Sequence, residues 1–211
     1  MSKRPISYYY DARKKEWKNI NGIIPHPFAF EIQNSFATWE KLPNYPKQEY
    51  ALEKLFKYWP QNEDYDEILV KAATLNQFYN TNVYKICDVA DLILKHKIDT
   101  AFSTFDANVI NELNKAIQAK TNRYAYSFLT KYFAHHSPEK YPIYDSYSGL
   151  MLMYYRDKDG FCEFDKDDLL DYNKYYNIYC QFRSHFGLTQ FNFRQLDIFL
   201  WQAGKQHMPL Y

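Results

Sequence analysis

Residues Tyr124–Tyr147 read YAYSFLTKYFAHHSPEKYPIYDSY, and the fold turns on this stretch. Its first half is an aromatic helix pattern. Pro138 and Pro142 close that helix, because proline biases the residue before it away from helical backbone. Pro142-Ile143-Tyr144-Asp145-Ser146 then sets a carboxylate at the start of the next helix. Asp145 can cap free backbone N–H groups there. It can also aim an acid into a cleft between two helices.

Outward from this stretch the pattern is helical on both sides. Upstream, Glu49–Tyr58 carries Leu52, Leu55 and Phe56 at helical spacing, and Pro60 stops it. Asp66–Tyr79 aligns Ile68, Leu69, Ala72, Leu75 and Phe78. Asn80-Thr81-Asn82 breaks the pattern before Val83–Lys95. Asp99–Phe105 reads as a short polar connection, 107–117 as a helix, and Gln118–Arg123 as a polar turn in which Asn122 is the residue best suited to left-handed backbone. Downstream, a helix runs from Asp145 to about Tyr155. Arg156–Asp168 reads as a loop, Asp168–Phe186 as a Tyr-rich helix ended by Gly187, and Asn192–Ala203 as the last helix with Gly204 as its stop. The tyrosines Tyr172, Tyr175, Tyr176 and Tyr179 are expected to form a half-buried face whose hydroxyls reach water or partners. No strand pattern of length and no internal repeat is present. The expected fold class is all-α, an irregular multi-helix domain over 49–211.

Residues 1–48 read as an irregular arm or subdomain. Lys3, Arg4, Arg13, Lys14, Lys15 and Lys18 interleave with Tyr8, Tyr9, Tyr10 and Trp17, a mixture that can stack on bases and neutralise phosphates. It equally suits an ordinary solvated terminus. A helical piece is expected near Phe28–Trp39.

Composition bounds the chemistry. The 211 residues include 22 Tyr and 16 Phe but only 5 Gly, which argues against glycine-built phosphate cradles of the Rossmann or P-loop kind. Cys87, Cys162 and Cys180 are widely spaced and form no CxxC pair. No metal cluster or cofactor is therefore expected, and reduced thiols in a cytoplasmic protein are the default. No apolar run reaches membrane-spanning length. A net charge of +1 does not favour indiscriminate coating of DNA, but a site-directed enzyme needs only a local basic face.

Three stretches, in order, resemble the helix-hairpin-helix DNA glycosylase superfamily, the group of endonuclease III and 8-oxoguanine glycosylase. Ile68–Lys85, ILVKAATLNQFYNTNVYK, is similar to the early helix and turn. Pro142-Ile143-Tyr144-Asp145-Ser146-Tyr147 resembles the Pro-Val-Asp segment. Leu196–Lys205, LDIFLWQAGK, looks like the final core helix. The resemblance covers roughly 49–206. The chain departs from the pattern in four places, one being that the cysteine cluster of endonuclease III is absent. The turn at 118–123 holds no glycine, Tyr144 is an extra residue before the acid, and the lysine of the bifunctional members would fall near Ala125, where none stands.

The resemblance implies duplex DNA carrying a damaged or modified base as the partner, with the base flipped out of the stack. Asp145 would be the catalytic carboxylate, stabilising an oxocarbenium ion and orienting water. Trp201 and Asp197 would line the base pocket. Gln77 would plug the gap in the stack, with Asn80 beside it. Lys120, Asn122, Arg123 and Lys131 would contact the DNA backbone, Lys131 alternatively pairing with Glu139 or Asp145. The expected activity is monofunctional N-glycosidic hydrolysis. The alternative is a catalytically inactive module that binds nucleic acid or a modified nucleotide on the same fold, and a third reading is a helical interaction protein that binds a protein through its tyrosines.

Overall fold

The structure, a computed structural model, describes residues 4–210. Lys3 of the basic start and Tyr211 lie outside the described residues. The chain is mostly helical. Among the described residues it forms α1 Ala29–Trp39, α2 Tyr45–Tyr58, α3 Tyr65–Tyr79, α4 Ile86–His96, α5 Asp99–Thr104, α6 Asn108–Thr121, α7 Tyr126–His136, α8 Ser146–Asp159, α9 Tyr172–His185 and α10 Phe193–His207.

Helix α8 is the hub. From Tyr147 to Met153 every residue is buried, and so is Tyr155. A helix surrounded on all sides has no polar stripe to show in its sequence. Helix α10 packs along it, and α1 packs on α10. On the other side, α6 joins α7 to α9, while α2 and α3 close over α7 and α4 bridges α3 and α6.

Several boundaries differ from the sequence expectation, each for a local reason. Helix α2 starts at Tyr45, four residues early, because Pro46 sits in its first turn, where a missing N–H costs nothing. Helix α4 starts at Ile86 rather than Val83. The Asn76 side chain bonds both the N–H (2.9 Å) and the C=O (3.1 Å) of Val83 and holds it outside the helix, and Asn80 and Asn82 are left-handed. The connection at 99–105 is the short helix α5, anchored by Asp99, which accepts from the Asn62 backbone N–H (2.8 Å). Helix α6 continues to Thr121, whose hydroxyl donates to the Ile117 carbonyl (2.7 Å), and the turn falls on Asn122 at φ 57°. Helix α8 runs on to Asp159, and the rest of the expected loop holds a 3-10 turn at Lys166–Leu170.

Gly204 does not stop α10, which continues to His207. Its missing side chain serves close packing instead: a Cβ there would lie 2.8 Å from Tyr147 Cβ. The N-terminal region contains a short antiparallel pair, β1 Tyr10–Asp11 and β2 Glu16–Trp17, with Tyr10 opposite Trp17.

Residues 4–48 share the core of the rest of the chain. Tyr9, Ile24 and Ile32 belong to the same buried cluster as α8 and α10. Tyr9 Oη donates to the Pro209 carbonyl (2.6 Å), Asn21 N–H to His207 O (2.8 Å) and Gln202 Nε2 to Ser35 O (2.8 Å). The basic, aromatic start is thus laced to the C-terminal end of α10.

Candidate active-site cleft before helix α8

The crossing 142–145 is held from both sides before it delivers its acid. On one side are tyrosines of α9 spaced three and four apart. Tyr172 Oη donates to Pro142 O (2.9 Å), Tyr175 Oη to Ile143 O (2.6 Å), and Tyr179 Oη to Asp197 Oδ1 (2.7 Å). Asp197 Oδ2 in turn accepts the Ile143 N–H (3.1 Å). These three tyrosines are fully buried, where a half-buried face with hydroxyls reaching water or partners was expected; Tyr176 alone of the four is half-buried. The three buried hydroxyls satisfy a non-helical backbone that would otherwise be buried without partners.

On the other side is α7. The Tyr144 carbonyl accepts from Ser127 Oγ (3.0 Å), Thr130 Oγ1 (3.3 Å) and Lys131 Nζ (3.3 Å), and the Tyr144 N–H donates to Thr130 Oγ1 (3.1 Å). The extra residue before the acid is therefore the crossing's anchor on α7.

Asp145 caps α8. Its Oδ1 accepts the N–H groups of Tyr147 and Ser148, both at 2.8 Å, and Ser148 Oγ accepts the Asp145 N–H (2.9 Å) to complete a capping box. Both caps fall on Oδ1, so Oδ2 stays outside the cap.

Asp145 lines a cleft of about 600 Å³. Lys131, Ser127, Asn80, Asp197 and Trp201 line the same space. Lys131, expected to contact a phosphate or to pair with Glu139 or Asp145, is buried at 4% exposure, its amine turned back along α7 to Ser127 Oγ (2.7 Å) and to the carbonyls of Ser127 and Tyr144. Trp201 stands edge-on to Tyr45, ring centroids 5.0 Å apart. Burial pushes the Asp197 carboxyl up to about 7, against the opposing pull of the Tyr179 hydroxyl, Arg194 and the Ile143 N–H. With both oxygens engaged, Asp197 braces the crossing.

Gln77 is exposed on α3 and does not line the cleft. Lys120, Asn122 and Arg123 are exposed at the α6–α7 turn, also apart from the cleft lining. Five of the nine singled-out residues thus share one cavity and four lie outside it.

The sequence reading missed a half-buried polar wall, of which Glu49, Tyr79 and Arg194 line the cleft and His135 backs Tyr79. Arg194 forms a bidentate pair with Glu49, at 2.6 and 2.7 Å, and Tyr79 Oη donates to Glu49 Oε2 (3.0 Å) while lying 3.1 Å from His135 Nε2. Burial raises the Glu49 carboxyl, but Arg194, His135 and the hydrogen bonds outweigh it and hold the group below its ordinary value. Burial drives His135 down to about 4, so the ring is neutral near pH 7 and serves as a hydrogen-bond partner. The four residues lie 145 positions apart at the extremes, and no local spacing announces them. The tyrosine clamp did carry a signal, the recurrence of Tyr at 172, 175 and 179.

Among the described residues no group of His, Cys, Asp and Glu is arranged to hold a metal ion. Cys87, Cys162 and Cys180 are free thiols. No helix among the described residues is long and apolar enough to cross a membrane.

Residues 31–140 match the HI_0787_N family, described as an N-terminal domain. The match covers just over half of the 211 residues, and the chain belongs to this family. A Haemophilus influenzae protein described as "Uncharacterized protein" is 36% identical over 135 residues, 64% of this chain and 64% of the relative. The chain thus spans less than two thirds of that relative's length. No solved structure matches significantly. The family match takes in Lys131 and the wall residues Glu49, Tyr79 and His135, and it ends before Asp145.

Proposed function

We propose that this chain is a DNA glycosylase-like protein that takes an everted, damaged or modified nucleotide into the cleft and hydrolyses its N-glycosidic bond. One observation carries the reading. A carboxylate fixed at a helix N-terminus, an indole and a lysine amine line a single cavity of about 600 Å³. That volume falls within the range of small-ligand pockets, about 300–1,000 Å³.

In this reading Asp145 lies beside the sugar. Its carboxylate stabilises the oxocarbenium ion as the bond between C1′ and the base nitrogen breaks. Water adds its oxygen to C1′, the base leaves with the bonding electron pair and takes up the proton that the water loses, and an abasic site remains. Trp201 provides a face for the extruded base, and such stacking contributes about 1–3 kcal/mol.

The test is incubation with duplexes carrying single modified bases, followed by alkali. The expected result is strand breakage only after alkali, abolished in Asp145→Asn. Asparagine also caps helices well, so the variant keeps its fold. Full activity in Asp145→Asn refutes the assignment.

The placement of Lys131 favours a second reading. Its amine is bonded 3.3 Å from the carbonyl of the residue preceding Asp145. An amine there can attack C1′ itself, displacing the base and forming a Schiff base with the opened sugar. Borohydride then traps a covalent protein–DNA adduct that Lys131→Gln does not form. No adduct with wild type, alongside abasic product, leaves hydrolysis by water.

A further inference from the structure

The cleft is rich in acid. Asp145, Asp197 and Glu49 all line it, so a phosphate that followed a sugar and base inward would meet carboxyl oxygens rather than free donors. Three cationic residues also line it, and two are already engaged. Arg194 is bound to Glu49 (2.6 and 2.7 Å), and buried Lys131 is bonded to Ser127 and Tyr144. Lys205 differs. It is exposed and, among the described residues, no carboxylate lies within ion-pair distance of it. Its Nζ sits 4.6 Å from the Trp201 ring centroid and 5.2 Å from that of Tyr45, and donates to Tyr45 Oη (3.2 Å).

We infer that Lys205, steadied over Trp201 and Tyr45, is a phosphate-binding element at the mouth of the cleft, contacting the DNA backbone next to the everted nucleotide. This rests on the nucleotide-binding reading of the same cleft. The Trp201 ring and the Tyr45 hydroxyl fix where the ammonium lies, so less side-chain freedom is lost when a phosphate arrives than for an unsupported surface lysine. The charge is then placed where the backbone must stay while the base goes in.

The experiment is salt-dependent binding to a duplex with a single tetrahydrofuran abasic analogue, for wild type, Lys205→Met and Lys205→Arg. One lost phosphate contact lowers the slope of log K against log salt by about 1 and weakens binding about eightfold at about 0.1 M salt. That is the expected result for Lys205→Met, with Lys205→Arg close to wild type. An unchanged slope in Lys205→Met, with wild type binding the duplex, overturns the inference and leaves the glycosylase reading standing. Wild type that does not bind the duplex overturns both. Lys205-dependent binding of a deoxynucleoside monophosphate, equal to that of the duplex, assigns the amine to a free phosphate and overturns the backbone contact.

Discussion

Gly204→Ala tests the packing that seats the candidate acid. Helix α10 lies so close to the head of α8 that an added Cβ would stand 2.8 Å from Tyr147 Cβ, 3.0 Å from its Cδ1 and 3.3 Å from its Cα. Favourable carbon–carbon contact begins at about 3.5 Å, so the first overlap exceeds half an ångström. The atoms met are the stem of Tyr147, not a flexible tip. That stem cannot swing aside cheaply: the Tyr147 N–H is bonded to Asp145 Oδ1 (2.8 Å), and its hydroxyl accepts the Leu210 N–H (3.2 Å). Overpacking of this kind costs about 1–3 kcal/mol, while alanine in a helix interior recovers about 1 kcal/mol over glycine. The expected net result is a loss of up to about 2 kcal/mol. It is read as a lower urea midpoint at unchanged slope. Strain at Tyr147 also reaches the Asp145 cap, so cleft-dependent activity falls with stability. A Gly204→Ala protein about 1 kcal/mol more stable than wild type would show that helix propensity alone governs the site, and the close-contact argument would be refuted.

Two further perturbations separate the supports of the crossing. Tyr175→Phe removes a fully buried donor from the Ile143 carbonyl (2.6 Å) and should cost about 1–3 kcal/mol, whereas Tyr124→Phe, at an exposed ring, should cost almost nothing; equal midpoints for the two would remove the clamp from the argument. Asp197→Asn should change how stability depends on pH. Between its ordinary 3.8 and its folded value of about 7, Asp197 binds more protons folded than unfolded, so the stability it contributes is present at low pH and lost as pH rises toward 7. His135, at about 4 against 6.5, works the other way: its contribution is present above 6.5 and lost as pH falls toward 4. Between pH 4 and 6.5 the two slopes oppose, and removing Asp197 should tilt stability upward with pH by as much as about 1.4 kcal/mol per pH unit. Urea unfolding across that range tests this, and parallel curves for wild type and variant would contradict it.

What the sequence revealed of the fold follows from which forces act locally. Helices with one apolar stripe announced themselves, as did the breaks at Pro60 and Pro142 and the left-handed turn at Asn122. Boundaries went astray where a side chain or a distant helix outweighed propensity. Asn76 holds Val83 out of α4. Gly204, a stop signal by composition, sits inside α10 because Tyr147 needs the space. The short β1–β2 pair was invisible because two residues per strand carry no alternation to read.

The cleft was legible in part, and the division has a physical meaning. Asp145 stood out because a cap acid after two prolines is a local pattern, and Asp197 and Trp201 because they are one helical turn apart. The Glu49–Arg194 pair joins α2 to α10 across 145 positions. Only the closed fold brings these side chains together, so no window of sequence contains the wall they build. Lys131 shows the same limit in miniature. Its place on α7 was evident, but whether the amine faced solvent or the cleft depended on where the Tyr144 carbonyl lay. That carbonyl is positioned by the α9 tyrosines and by Asp197, which hold Ile143 beside it. The chemistry available at the cleft is thus set less by the two residues that would perform it than by a buried clamp of tyrosine hydroxyls acting on four residues of extended chain. Substitutions in that clamp should alter the cleft without replacing any residue that lines it.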